Sequence, residues 1–121
     1  MINISEYNDE NIFAKILRKE LPSECVYEDD EVYAFKDINP QAPTHILVIP
    51  KKKFCSFSDF CSRADEKTIS SFFKAVDRIA KELQLKDGYR IISNIGNQGG
   101  QEVPHFHIHL LSGKKLSNIV V

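Results

Sequence analysis

The chain has 121 residues, with 16 Lys and Arg against 17 Asp and Glu, for a net charge of −1. That length suits one domain over residues 1–121 with a true hydrophobic core. The balanced charge argues against a nucleic-acid groove run by bulk electrostatics, and no apolar run approaches the ~20 residues of a membrane span. The N-terminus lacks a basic stretch followed by an apolar one, so no signal peptide is expected. Cys25, Cys55 and Cys61 are odd in number and match no metal spacing. They read as isolated reduced thiols of a cytoplasmic protein.

Asn8 to Glu20 reads as a first helix, with Asn8 or Asp9 as cap and Ile12, Phe13, Ile16 and Leu17 on one stripe. Leu21-Pro22 stops it, because proline pushes its predecessor out of the helical region. Cys25-Val26-Tyr27 and Val32-Tyr33-Ala34-Phe35 flank the acidic turn Glu28 to Glu31 and predict a hairpin. A proline-punctuated loop, Asp37 to Thr44, leads into the apolar run His45 to Ile49, which predicts a buried central strand. Lys51 to Lys53 closes that strand as a solvated end. From about Ala64 to Leu85, apolar residues at Ile69, Phe72, Phe73, Val76, Ile79, Ala80 and Leu83 predict a long helix. Ser62 and Asp65 form a capping-box variant at its start and Gly88 ends it. Tyr89 to Ser93 is a fourth strand, Asn94 to Pro104 a glycine-rich loop and His105 to Leu111 the fifth strand. The order α, β, β, β, α, β, β implies an α+β fold with a mostly antiparallel sheet.

The last strand carries the chemistry. In His105-Phe106-His107-Ile108-His109-Leu110-Leu111, three of the four histidines stand two apart. Alternation along a strand puts the imidazoles on one face, roughly 7 Å apart, and Phe106, Ile108 and Leu110 on the core face. His45 is a candidate fourth member of the site. The pattern fits a metal site, with Glu102 as an available carboxylate, or nucleophilic catalysis by the central imidazole. A solvent-facing strand has no reason to choose histidine three times. Upstream, Asn94 to Glu102 includes three glycines, whose backbone N–H groups suit a phosphate. Asp37 then suits ribose hydroxyls, and apolar residues such as Phe13 or Ile38 a base. Zinc stays open on this reasoning.

The heptapeptide matches the pattern His-φ-His-φ-His-φ-φ, with φ apolar, and the chain resembles the histidine triad superfamily in its nucleotide-binding, purine nucleoside phosphoramidase branch. The likeness also covers Ile12 to Ile16, Tyr27 to Asp30, Ala34 to His45, Val48 to Lys52 and Gly99 to Gln101. It implies a five-stranded antiparallel sheet with two helices and a homodimer that joins two sheets into one of ten strands. It also implies hydrolysis of purine nucleoside 5′-phosphoramidates to nucleoside monophosphate (AMP or GMP) and amine, without a cofactor.

By position, the resemblance makes His107 the nucleophile that becomes a nucleotidyl-histidine. His109 contacts the phosphate and helps the leaving group, while His105 and His45 orient His107. Asp37 takes the ribose, with Ile38 beside it and Phe13, Ile16 and Phe35 near the base. Asn94 and Gly100-Gln101-Glu102 hold phosphate and leaving group. Two departures stand out. Asn11 and Ala14 occupy positions where many bacterial relatives carry a zinc-binding Cys-x-x-Cys pair, so that site is expected to be absent. Glu102 stands where many eukaryotic members have a serine that assists the leaving group. Rival readings are a dinucleoside polyphosphate hydrolase or nucleotidyl transferase, a nucleotide-binding interaction protein with incidental hydrolysis, and a zinc enzyme.

Overall fold

A computed structural model describes residues 1–118. Its elements run α1 (Ile12–Leu17), β1 (Cys25–Glu28), β2 (Val32–Lys36), β3 (Thr44–Pro50), α2 (Phe57–Arg63), α3 (Glu66–Glu82), β4 (Arg90–Ile92) and β5 (Ile108–Ser112). The five strands form one sheet in the order β1-β2-β3-β5-β4, with every neighbouring pair antiparallel. The fold is the expected α+β arrangement, with three helices where two were predicted.

Alternation on β3 and β5 builds a two-faced sheet. Ile46 and Val48 on β3 and Ile108 and Leu110 on β5 join Phe72, Val76 and Ile79 of α3 in the main core, with Phe54, Phe60 and Phe106. On the opposite face, Leu47 and Ile49 join Tyr33 and Phe35 of β2 under Phe13 and Ile16 of α1. His45 and His109, both buried, belong to this second face. The hairpin between β1 and β2 closes because Asp29 Oδ1 accepts from the N–H groups of Glu31 and Val32, each at 2.8 Å.

The helices differ from expectation at their ends. The cap of α1 is Asn11 rather than Asn8 or Asp9. Its side chain accepts from the Ala14 N–H at 2.9 Å, while Lys19 turns left-handed at φ 64° and ends the helix before Glu20. The long helix predicted from Ala64 begins instead with Asp65 as cap to Thr68. Ser62 lies inside the separate α2, which Ser56 caps. Ala64 between them is extended, so the two cannot fuse. Phe73, placed on the buried stripe, is substantially exposed. The end of α3 falls at Leu83 and Gln84 rather than Gly88, and Gln84 takes a left-handed φ of 58°. A side chain there costs about 1 kcal/mol relative to glycine. Gln84→Gly should therefore raise unfolding stability by about that amount in a urea titration; an unchanged midpoint would contradict the strain.

The fifth strand begins at Ile108, three residues later than the alternation suggests. Pro50, which would continue the ladder on β3, has no N–H. Its carbonyl is taken by the His105 ring at 2.8 Å, and the Phe106 N–H turns to the Phe54 carbonyl at 2.7 Å. The lysine run is a solvated strand end as expected, with Lys51 paired to Glu28 and Lys53 to Asp9. The three cysteines are free thiols, Cys55 buried and the others exposed. No helix among the described residues is long and apolar enough to cross a membrane.

Candidate functional site

A cavity of about 610 Å³ opens on the α1 face of the sheet. Its apolar wall is Phe13, Ile16, Phe35 and Leu47, with Ile12 and the fully exposed Ile38 at the mouth. Its polar wall is Asp37, His45, His107, His109, Asn94, Gly100 and Glu102. That volume and mixed lining fit a small-molecule ligand. Of the residues singled out from sequence, His105 and Gln101 do not line the cavity.

His105 is fully buried behind His107. Gln101 is buried too, and its amide donates to the carbonyls of Cys55 (2.8 Å) and Val103 (3.0 Å) while its Oε1 accepts from the Gly96 N–H (2.9 Å). It pins the loop instead of facing a ligand. The glycine loop is also more self-contained than a phosphate nest requires. The Gly96, Gly100 and Gln101 N–H groups bond to Gln101 Oε1, the Asn97 carbonyl and the Gly96 carbonyl respectively. Gly96 and Gly100 take left-handed φ values of 71° and 77°.

The hydrogen bonds fix where each imidazole keeps its proton. His107 Nδ1 lies 2.7 Å from the His105 carbonyl, and a carbonyl only accepts, so Nδ1 carries the hydrogen and Nε2 the lone pair. The Gln41 N–H donates to His45 Nδ1 at 3.0 Å, so His45 carries its proton on Nε2. That Nε2–H lies 2.9 Å from His109 Nδ1 and 3.3 Å from Asp37 Oδ2. With Nδ1 accepting, the His109 proton sits on Nε2. The site therefore holds one imidazole with a free Nε2 lone pair beside another with an Nε2–H, their ring centroids 5.1 Å apart.

Burial favours these neutral forms. It lowers the pKa of His107 against the opposing pull of the His105 carbonyl, and lowers that of His45 despite Asp37. Desolvation, with His107 and His45 adjacent, pushes His109 down to about 3. Phe13 packs edge-on against His107 at 4.9 Å, holding the ring without competing for its lone pair.

Asp37, His45 and His109 also converge closely enough, within 4.8 Å, to offer a metal three ligand atoms. The carboxylate in that cluster is Asp37, where sequence reasoning had offered Glu102. These atoms already bond to one another, and a cation would have to displace the His45 Nε2 proton. Positions 11 and 14 are joined as cap and capped residue of α1.

Sequence reasoning overlooked Gln41, whose contribution is a backbone N–H that no residue type advertises. It also overlooked Leu21, Pro22 and Ser23, which line the cavity beyond the first helix. Pro22 had signalled only a helix stop. Tyr7, whose hydroxyl meets His105, carried no pattern at all.

Imidazoles in fixed tautomers on a five-stranded sheet, facing a cavity with an apolar wall, define a histidine-centred site. The HIT domain matches residues 18–116, and the chain belongs to the HIT family. It is 50% identical over 115 residues to an uncharacterized HIT-like protein of Rickettsia prowazekii, covering 94% of this chain and 96% of that one. It is 47% identical over 109 residues to the purine nucleoside phosphoramidase of Escherichia coli K12, covering 89% and 91%. Among solved structures, a histidine triad protein from Clostridium difficile superposes with a TM-score of 0.81 at 46% identity, covering 94% of this chain and 99% of that one. A HIT family hydrolase from Legionella pneumophila superposes with a TM-score of 0.82 at 39% identity, covering 88% and 96%.

Proposed function

We propose that this HIT-family protein is a nucleotide hydrolase of the phosphoramidase type, converting a purine nucleoside 5′-phosphoramidate and water to nucleoside monophosphate and amine. The observation that carries the reading is the unprotonated Nε2 of His107, in the cavity lining beside His109 with its Nε2–H. Similarity to the E. coli phosphoramidase supports the choice of leaving group.

In this reading the purine lies against Phe13, Ile16 and Phe35 with Ile38 at the rim, and Asp37 meets the ribose. His107 Nε2 attacks the α-phosphorus as the P–N bond breaks, and the amine leaves with that electron pair and takes up a proton. His109 donates to the phosphoryl oxygens as charge develops, and Asn94, Gly100 and Glu102 surround the phosphate and leaving group. Water then attacks phosphorus and gives up a proton to solvent as the P–Nε2 bond breaks, and the lone pair returns to His107. His105 and His45 act by holding the two reacting rings. No metal or organic cofactor enters the scheme. We assign the active form as a homodimer in which the edge strand β4, with exposed Ile91 and neighbouring Tyr89, joins two sheets, and the compartment as a reducing cytoplasm.

The test is to mix the protein with adenosine 5′-phosphoramidate, quench during turnover and map the adduct by mass spectrometry. A nucleotidyl group on His107 is the expected result; turnover with no adduct on any histidine would overturn the mechanism. Faster turnover of diadenosine polyphosphate than of the phosphoramidate would reassign the leaving group.

A further inference from the structure

Tyr7 lies outside the segment matched by the HIT domain and does not line the cavity. Its hydroxyl nevertheless sits 2.6 Å from His105 Nδ1. The ring of His105 is fully buried, and its Nε2–H is committed to the Pro50 carbonyl at 2.8 Å. Nδ1 is therefore an acceptor and the phenol is the donor. Burial raises the Tyr7 pKa, which keeps that proton on oxygen.

His105 is the residue whose carbonyl receives the Nδ1–H of His107 at 2.7 Å. One short bond thus ties the Tyr7 hydroxyl to the ring of His105, and a second ties the main chain of the same residue to the Nδ1–H of His107. Phe13 also touches both rings, at centroid distances of 6.4 and 4.9 Å, but as a hydrocarbon it packs without holding a proton. The segment bearing Tyr7 is itself secured. Asp9 pairs with Lys53 at 2.7 Å, the Asp9 carbonyl accepts from Arg18 at 2.8 Å, and the Asn8 carbonyl accepts from the Asn11 N–H at 3.2 Å.

We propose that Tyr7 is a positioning residue for the attack by His107, its hydroxyl fixing the ring of His105 and so the placement of the His105 carbonyl that aims the nucleophile. The proposal rests on the phosphoramidase reading for its kinetic consequence, but not for its structural one.

The test compares the full-length wild type with Tyr7→Phe, which keeps the packing ring and removes only the hydroxyl. In single-turnover reactions with adenosine 5′-phosphoramidate, nucleotidylation of His107 is expected to slow about tenfold, the scale of one lost hydrogen bond to an oriented group. AMP affinity should stay within about twofold, because Tyr7 lines no part of the cavity. In ligand-free protein, 15N NMR should report His107 protonated at Nδ1 in both proteins, with that hydrogen exchanging with water faster in Tyr7→Phe. An unchanged nucleotidylation rate overturns the proposal, as does a loss of AMP affinity matching the loss of rate. Should the wild type form no nucleotidyl-histidine, the functional reading fails and the NMR comparison alone decides the role of Tyr7: an unchanged exchange rate of the His107 Nδ1–H then rejects it.

Discussion

Replacing His107 by alanine is expected to lower phosphoramidate turnover at least about a thousandfold while leaving AMP binding nearly intact. A factor of that size corresponds to about 4 kcal/mol of lost transition-state stabilisation. It is reasonable for a covalent nucleophile, because the remaining groups can only bind and polarise the phosphate. Binding should survive because Phe13, which touches the imidazole, is also held by Phe35, and Ile16 completes the apolar wall. Steady-state kinetics and calorimetric titration with AMP separate the two. Turnover within tenfold of the wild type would remove His107 from the role of nucleophile. A large loss of AMP affinity would instead make it a binding residue.

Acid should destabilise this fold well above the pH at which carboxylates titrate. The pKa of His105 is pushed down to about 4, mainly by burial, and that of His109 to about 3. In the unfolded chain both return to about 6.5. Above that value neither state binds these protons, so stability is at its plateau. As the pH falls through 6.5 the unfolded imidazoles protonate while the folded ones stay neutral, and stability falls with it. Each histidine contributes a slope of up to about 1.4 kcal/mol per pH unit, continuing down to about pH 4 for His105. Together they remove several kcal/mol before pH 4.5, a large share of an ordinary domain's 5–15 kcal/mol. Urea unfolding at pH 7.5, 6 and 5 measures the slope, and His105→Asn should flatten it. A wild-type free energy that stays level from pH 7 to 4.5 would show that the triad is not buried in its neutral form.

Periodicity in the sequence carried the sheet and the long helix. On β5 the alternation of histidines with Ile108 and Leu110 made the two faces readable, whereas β3, apolar from Ile46 to Ile49, was readable only as a buried strand. Short α2 was not readable, because only Phe60 among its seven residues is buried and one apolar position defines no stripe. The end of α3 was misassigned because glycine is the usual left-handed residue, whereas here Gln84 takes that conformation. In the site, side-chain identity was legible and proton placement was not. The tautomers of His45 and His107 depend on the backbone N–H of Gln41 and the carbonyl of His105, groups that every such residue carries whatever its side chain. The role of the glycine loop was not readable for a related reason: glycine permits an anion nest, but N–H groups can equally close the loop on itself, as those of Gly96, Gly100 and Gln101 do.

The main-chain origin of those proton positions separates chemistry from recognition. Substituting Ile12, Ile16, Leu21 or Ile38 reshapes the ligand cavity without touching Gln41 N–H, Pro50 C=O or His105 C=O. A designer seeking a new nucleobase or a bulkier leaving group can therefore vary the walls extensively while the reactive centre keeps its tautomers. In this scaffold the adjustable part and the invariant part are built from different kinds of atom.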